Sequence, residues 1–253
     1  MWNIAFNTFR EIVRNRFLYM IVFFAFVFII FSIALGKLTL WDDNKIIVDF
    51  GLAMIEVFGL IGVLFVWSQL LFREIEGKTI FLILSKPIDR FEFLLGKFFW
   101  FSFTIALILL LQSILFLVVL ALKGIDITQI IVFSLLFTFL KLEITLALVF
   151  FFSTFMSNIL TILISVMVYF MSHSMSLLLD LVVRLKNTFI FTLVQGVQIL
   201  FPPFEALNTK DVIGTFEIFT YQYYLFNTVY AFVYLALILF LSVLIFNKKS
   251  FER

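Results

Sequence analysis

The chain alternates long apolar runs with short polar breaks, and most of the runs are too long for helices of a soluble core. A helix crossing the hydrocarbon of a bilayer needs about 20 mostly apolar residues. Six windows meet that requirement: 17–35, 51–72, 98–122, 129–152, 159–179 and 223–246. A seventh apolar stretch, 188–201, has only 14 residues and closes on Pro202-Pro203. That length fits a re-entrant or interfacial helix rather than a span. Ahead of the first run, Trp2, Ala5, Phe6, Phe9, Ile12 and Val13 recur at spacings of mostly three and four, while Asn3, Asn7, Arg10, Glu11 and Arg14 fall on the other side. Residues 1–16 are therefore predicted to form an amphipathic helix lying in the interface before the first span. A cleaved signal peptide does not fit, because the apolar core is too long and no small-residue cleavage site follows it. The pattern predicts an all-α membrane protein. It has one domain over 1–253, an N-terminal interfacial elbow helix, six transmembrane helices and a long connection, 180–222, that holds the re-entrant segment.

Composition reinforces the pattern and removes several chemistries. Of 253 residues, 64% are hydrophobic and 13% charged, with a mean hydropathy of +1.20. A soluble domain carries a much more polar surface. The absence of Cys excludes disulfides and thiolate metal sites. The single histidine, His173, excludes a multi-histidine metal centre within one chain. No metal, cofactor or catalytic set is expected in this chain, and no nucleic-acid partner.

The distribution of charge gives an orientation. With the N-terminus in the cytoplasm, the inside segments hold Arg10, Arg14, Arg16, Arg73, Lys78, Lys86, Arg90, Lys97, Lys248, Lys249 and Arg253, eleven of the eighteen Lys and Arg. The outside segments hold Lys37, Lys45, Lys123, Arg184, Lys186 and Lys210. This bias follows the positive-inside rule and predicts a multi-pass protein of the cell membrane with both termini cytoplasmic. A seventh span at 188–201 would move the C-terminal cluster outside, against the same rule.

Polar residues within the spans come next: Glu56, Gln69, Gln112, Lys141, Glu143 and His173. Ionisable groups at membrane depth are expensive and face a protein interior or water. Lys141 and Glu143 lie near the middle of the fourth span. Two residues apart on a helix is about 200°, so each needs a partner on a different helix or across a dimer. They stand as a possible intramembrane polar site, with a structural ion pair or snorkelling by Lys141 as the plainer reading. Glu56 is expected to reach the headgroups from the outer end of the second span. His173 is expected to be a hydrogen-bonded group near the outer end of the fifth. Gly51, Gly59 and Gly62 offer close helix approach on the second span, although none forms G-x-x-x-G.

The longest cytoplasmic connection is 73–97, REIEGKTIFLILSKPIDRFEFLLGK. It carries Arg73, Lys78, Lys86, Arg90 and Lys97 against Glu74, Glu76, Asp89 and Glu92, with an apolar run from Ile80 to Leu84 between them. Pro87 breaks the chain, and Asp89 with Glu92 has the spacing of a capping box that starts the next helix. Mixed charge around exposed apolar residues suits a docking surface for a cytoplasmic partner. A pair of helices lying on lipid headgroups accounts for the same pattern. Gly77-Lys78-Thr79 is not the end of a P-loop, because the first glycine of that motif falls on Phe72.

This loop resembles the first cytoplasmic loop of ABC-2 type transporter permeases. The shared features are the acidic pair Glu74 and Glu76, Thr79, the turn Leu84-Ser85-Lys86-Pro87, Arg90, the pair Glu92-Phe93, and Leu94-Leu95-Gly96-Lys97. Looser likenesses run along the rest of the chain. The start resembles the family's elbow helix, Asp49-Phe50-Gly51-Leu52 the beginning of its second span, and Phe152-Ser153-Thr154-Phe155 with Ser157-Asn158 its turn between spans four and five. Pro202-Pro203-Phe204 with Leu207-Asn208 resembles the segment before its sixth span. Within the family, the chain is most similar to permeases grouped with copper-processing and gliding-motility systems.

The resemblance implies the transmembrane subunit of an ATP-driven transporter, an exporter by the family's habit. Two permease chains, identical or different, would pair in the lipid above two ABC ATPase subunits, which would bind the ATP and Mg. Residues 73–84 would form the coupling helix, with Arg73, Glu74, Glu76, Gly77, Lys78, Thr79, Phe81 and Leu82 seated in a groove of the ATPase. Lys86, Pro87, Arg90, Glu92 and Lys97 would continue the loop. The turn 153–158 would supply a smaller second contact. Two rivals remain: a subunit that docks an ATPase without moving a solute, and an intramembrane enzyme. The second lacks H-E-x-x-H, G-x-S-x-G or a carboxylate pair beside His173.

Overall fold

The computed structural model describes residues 43–76, 90–185, 188–210, 213 and 219–248, with isolated positions 23, 27, 28, 31 and 34. The elbow helix, most of the first predicted span and the 77–89 part of the predicted coupling loop lie outside the described residues. Every described element is helical. We number them α1 (Asp43–Ile61), α2 (Ser68–Glu76), α3 (Arg90–Leu122), α4 (Gln129–Ser153), α5 (Asn158–His173), α6 (Met175–Leu185), α7 (Thr188–Leu200) and α8 (Tyr221–Lys248), with a π-helical turn, Gly62–Trp67, joining α1 to α2. Among the described residues, four helical stretches are long and apolar enough to cross a membrane: Asn44–Phe72, Phe91–Leu122, Gln129–Ser153 and Tyr221–Lys248. The chain is thus a membrane-embedded helical protein, as its apolar runs predict.

Boundaries follow polar breaks where these exist. The run predicted over 129–152 ends within one residue of α4. Helix α3 is described from Arg90 onward, and Asp89, the expected cap, lies outside the described residues. It ends in a Schellman turn. Gly124 adopts φ +69°, its N–H donates to Ala121 O at 3.1 Å, and Ile125 N–H donates to Leu120 O at 3.0 Å. Glycine takes the left-handed conformation that this cap requires without a Cβ clash.

One predicted boundary needs correction. The window 159–179 is not one straight helix: α5 ends at His173, and the axis turns by 56° between Asn158–His173 and Leu177–Arg184. The apolar run hides the break, because Met175, Leu177 and Leu178 continue it in sequence. Arg90, Glu92 and Lys97, assigned to the cytoplasmic connection, stand on α3, in line with the helix expected to follow Pro87. Lys97 is buried, beside Leu71, Phe150, Ser153 and Phe246. Its four-carbon stem lets it pack along apolar neighbours there.

Helix α4 is the axis of the bundle. It touches α1, the π turn, α2, α3, α5 and α8, and every residue from 140 to 150 is buried. Small residues let neighbours close on it. A Cβ on Gly59 would collide with Leu142 of α4, and one on Gly51 would collide with Phe116 of α3 and Phe28. Glycine at these points permits close helix approach in a bilayer, where packing rather than hydrophobic exclusion drives association. The outward faces are apolar. On α3 the exposed large residues include Phe99, Phe103, Leu107, Leu110, Leu111, Ile114, Val118 and Leu122, mostly three or four apart, which makes one lipid-facing stripe.

Candidate functional site: a buried charge cluster closed by a returning segment

Helix α5 is inverted relative to a soluble helix. Ile159, Leu160, Leu163, Met167, Phe170 and Met171 face outward, whereas its buried positions are Thr161, Ser165, Tyr169 and Ser172. Spacings of four, four and three keep these hydroxyls on one side. That side meets α4, α2 and the π turn. Ser172 Oγ donates to Val168 O at 2.7 Å. Thr161 Oγ1 and Ser165 Oγ are buried with no hydrogen-bond partner. At the start of α5, Ser68 Oγ of α2 donates to Asn158 Oδ1 at 2.7 Å, tying the α4–α5 turn to α2.

The hydroxyl stripe leads to the one dense cluster of charge among the described residues. Glu56 of α1 is 7% exposed and Lys141 of α4 is 1% exposed, and Lys141 Nζ lies 2.5 Å from Glu56 Oε1. Tyr169 OH donates to the same oxygen. Lys210, from the segment between α7 and α8, pairs with Glu56 Oε2 and donates to Leu52 O at 3.3 Å. His173 Nε2 lies 3.4 Å from Lys141 Nζ, and His173 Nδ1 lies 3.2 Å from Tyr169 O. His173 Nε2 also lies 3.4 Å from Glu56 Oε1, so with a proton on Nε2 it donates to the carboxylate, and with the proton on Nδ1 it donates to the carbonyl and accepts from the ammonium. Phe204 closes the cluster, with its ring 5.2 Å from Tyr169 and 5.6 Å from His173.

This geometry corrects one expectation and answers another. Glu56 does not reach the headgroups; it is buried at the centre of the cluster, because two ammonium groups and a phenol compensate its charge there. Lys141 finds its partner on a different helix, as its position demands. Glu143 lies on the far side of α4, 4% exposed. It hydrogen-bonds to Ser102 of α3, while its Oε1 has no hydrogen-bond partner. Gln112 is buried too, and Gln69 faces outward. Tyr169 and Lys210 were not singled out in the sequence. The hydroxyl spacing along α5 was a readable signal for Tyr169; Lys210 stands in a loop and carries none.

The segment that delivers Lys210 returns into the mouth of the bundle. Phe204, Leu207 and Thr209 are buried. Thr209 Oγ1 lies 2.7 Å from Ser134 Oγ of α4, and Tyr223 OH donates to Ala206 O at 2.8 Å. On its other side, a cavity of about 270 Å³ is lined by Ser172, Gln198, Pro202, Glu205, Asn227 and Tyr230 among others. Chemically, the cluster can hold helices together, bind an ion or pass a proton. Of the predicted docking residues, Arg73, Glu74 and Glu76 fall on α2, which continues α1 past the π turn. Gly77, Lys78, Thr79, Phe81, Leu82, Lys86 and Pro87 lie outside the described residues. No protein-family model matches the chain, and no curated protein matches it.

Proposed function

We propose that the chain is the permease subunit of an ATP-binding-cassette exporter. Its six spans, both termini cytoplasmic and α7 re-entrant, would form half of a permease pair, identical or mixed, in the cell membrane above two ABC ATPase subunits. The ATPases would hold the ATP and Mg. The observation that carries this reading is the loop sequence of 73–97 with its ABC-2 resemblance. Its physical support is the mechanical line from that loop into the bundle. Helix α2 leads through the π turn to α1, which bears Glu56, and Ser68–Asn158 links α2 to the α4–α5 turn. π turns inside helices are common at functional sites and hinges. A push on the 73–97 loop would therefore reach the Glu56 cluster and the α4–α5 turn together.

The packed interior around α4 also suits the rival subunit that docks an ATPase and moves no solute. Co-expression of the chain with its ATPase and substitution of Glu74 and Glu76 by Lys tests the docking. Charge reversal at a close contact should lower complex recovery and stimulated ATP hydrolysis by about tenfold or more. Unchanged recovery and hydrolysis overturn the assignment. ATP-dependent solute uptake into inside-out vesicles then separates the exporter from the rival.

A further inference from the structure

Three of the groups that hold Glu56 or brace its partners stand on regular helices, and one does not. Lys141 projects from α4, and Tyr169 and His173 from α5, whereas Lys210 comes from the segment that folds back between α7 and α8. The carboxylate divides its oxygens accordingly. Oε1 takes Lys141 and Tyr169, and Oε2 takes Lys210. Leu52 O completes the Lys210 seat at 3.3 Å. A buried carboxylate stripped of every cation is prohibitively costly, but one that keeps a hydrogen-bonded ammonium is not. Lys210 can therefore leave while Lys141 and Tyr169 still hold Glu56, so the seat can change its occupant without unmaking the bundle.

We propose that the Lys210 seat is a binding site for a primary ammonium group. The chain's own lysine fills it when the 201–210 segment is docked, and a small alkylammonium ligand fills it when that segment is displaced. The chemistry selects the ligand class. Glu56 Oε2 and Leu52 O are two acceptors that need N–H donors, which a quaternary ammonium lacks. Two oxygens are too few for a hard cation such as Ca²⁺, which takes six or more. Tyr169, which stands on α5 and not on the moving segment, still donates to Glu56 when the segment leaves. Because Phe204 and Thr209 belong to the same segment as Lys210, displacing the lysine also loosens the closure of the bundle mouth. This inference does not rest on coupling to an ATPase; it concerns the isolated chain, so its failure would leave the docking assignment intact.

The chain has no cysteine, so the double variant Ser134→Cys/Thr209→Cys reports docking of the segment through disulfide formation. The two native oxygens are 2.7 Å apart. With the purified full chain in nanodiscs, Lys210→Met should slow this cross-link about fivefold, since the ammonium no longer anchors the segment. Methylammonium chloride should raise the thermal midpoint of Lys210→Met by roughly 3–5 °C. Equal concentrations of sodium chloride or tetramethylammonium chloride should not, and the shift should vanish in Glu56→Gln/Lys210→Met. In the chain that keeps Lys210, methylammonium should slow the cross-link by competition. The proposal is overturned if all three salts act alike, if the shift survives loss of Glu56, or if Lys210→Met cross-links as before. Should Lys210→Met fail to fold, the competition arm decides alone: cross-linking unaffected by saturating methylammonium rejects the site.

Discussion

The bundle holds two carboxylates at membrane depth in opposite ways. Glu56 is gripped by ammonium groups from α4 and from the returning segment, and by a phenol from α5. Glu143 has the Ser102 hydroxyl and an oxygen without a hydrogen-bond partner. Both are almost fully buried, so depth alone does not separate them. The difference lies in how many elements meet at each. Around Glu56, three other parts of the chain converge on one charge, and each supplies a hydrogen bond or an ion pair. Around Glu143, among the described residues, α3 alone joins α4 with such a contact. Lys141 and Glu143 sit on opposite sides of the same helix, so α4 presents a cross-linked polar centre to one side and a nearly isolated acid to the other.

The largest effect should follow Glu56→Gln. It leaves Lys141, 1% exposed, beside a neutral amide, and an uncompensated buried charge typically costs about 3–5 kcal/mol. Thermal unfolding of the detergent-solubilised chain, followed by circular dichroism, would show a drop of that size. A loss below about 1 kcal/mol would mean that Lys141 is held mainly by other groups and that Glu56 is not the centre of the cluster.

Lys141→Met should cost less, about 1–3 kcal/mol, because Glu56 keeps Lys210 and Tyr169 while Met fills most of the volume of the lysine stem. The double variant Glu56→Gln/Lys141→Met should be more stable than Glu56→Gln alone, since removing the second charge relieves the stranded first. Residues in one polar network show non-additive costs of about 0.5–3 kcal/mol. Strict additivity in the same unfolding measurement would break the picture of a shared network.

Much of this fold was legible in the sequence, and the reasons differ by element. The ends of α4 were readable because polar turns at 123–128 and 153–158 bound one continuous apolar run. The break after His173 was not, since hydropathy does not register a bend when both sides of it are apolar. The need of Lys141 for a partner on another helix followed from helical geometry alone. Its identity did not, because Glu56 is 85 positions away in the chain and only packing brings it near. Glu56 reads as a headgroup-reaching residue from its depth along the helix alone, and only its packed neighbours show it buried. Pro202-Pro203-Phe204 was marked as a distinctive segment, yet its return into the bundle depends on Phe204 finding Tyr169 and His173, contacts that no local spacing encodes.

The smallest effect should be that of Glu143→Gln. The amide keeps the shape of the acid and can still hydrogen-bond Ser102, and no ion pair among the described residues is lost. A single neutral hydrogen bond contributes about 0.5–1.5 kcal/mol, and here the bond is kept, so the change should stay below about 1 kcal/mol and could favour the folded state. This near-neutral result is what gives the Glu56 measurement its meaning: two isosteric Glu-to-Gln changes at similar burial should differ by several kcal/mol because one removes a compensated charge and the other does not. A cost at Glu143 comparable to that at Glu56 would require a cation that the described residues do not supply at that position. The natural source is a second copy of this chain. The same variant would then lower the dimer fraction in size-exclusion chromatography with light scattering, and the two sides of α4 would become alike in kind.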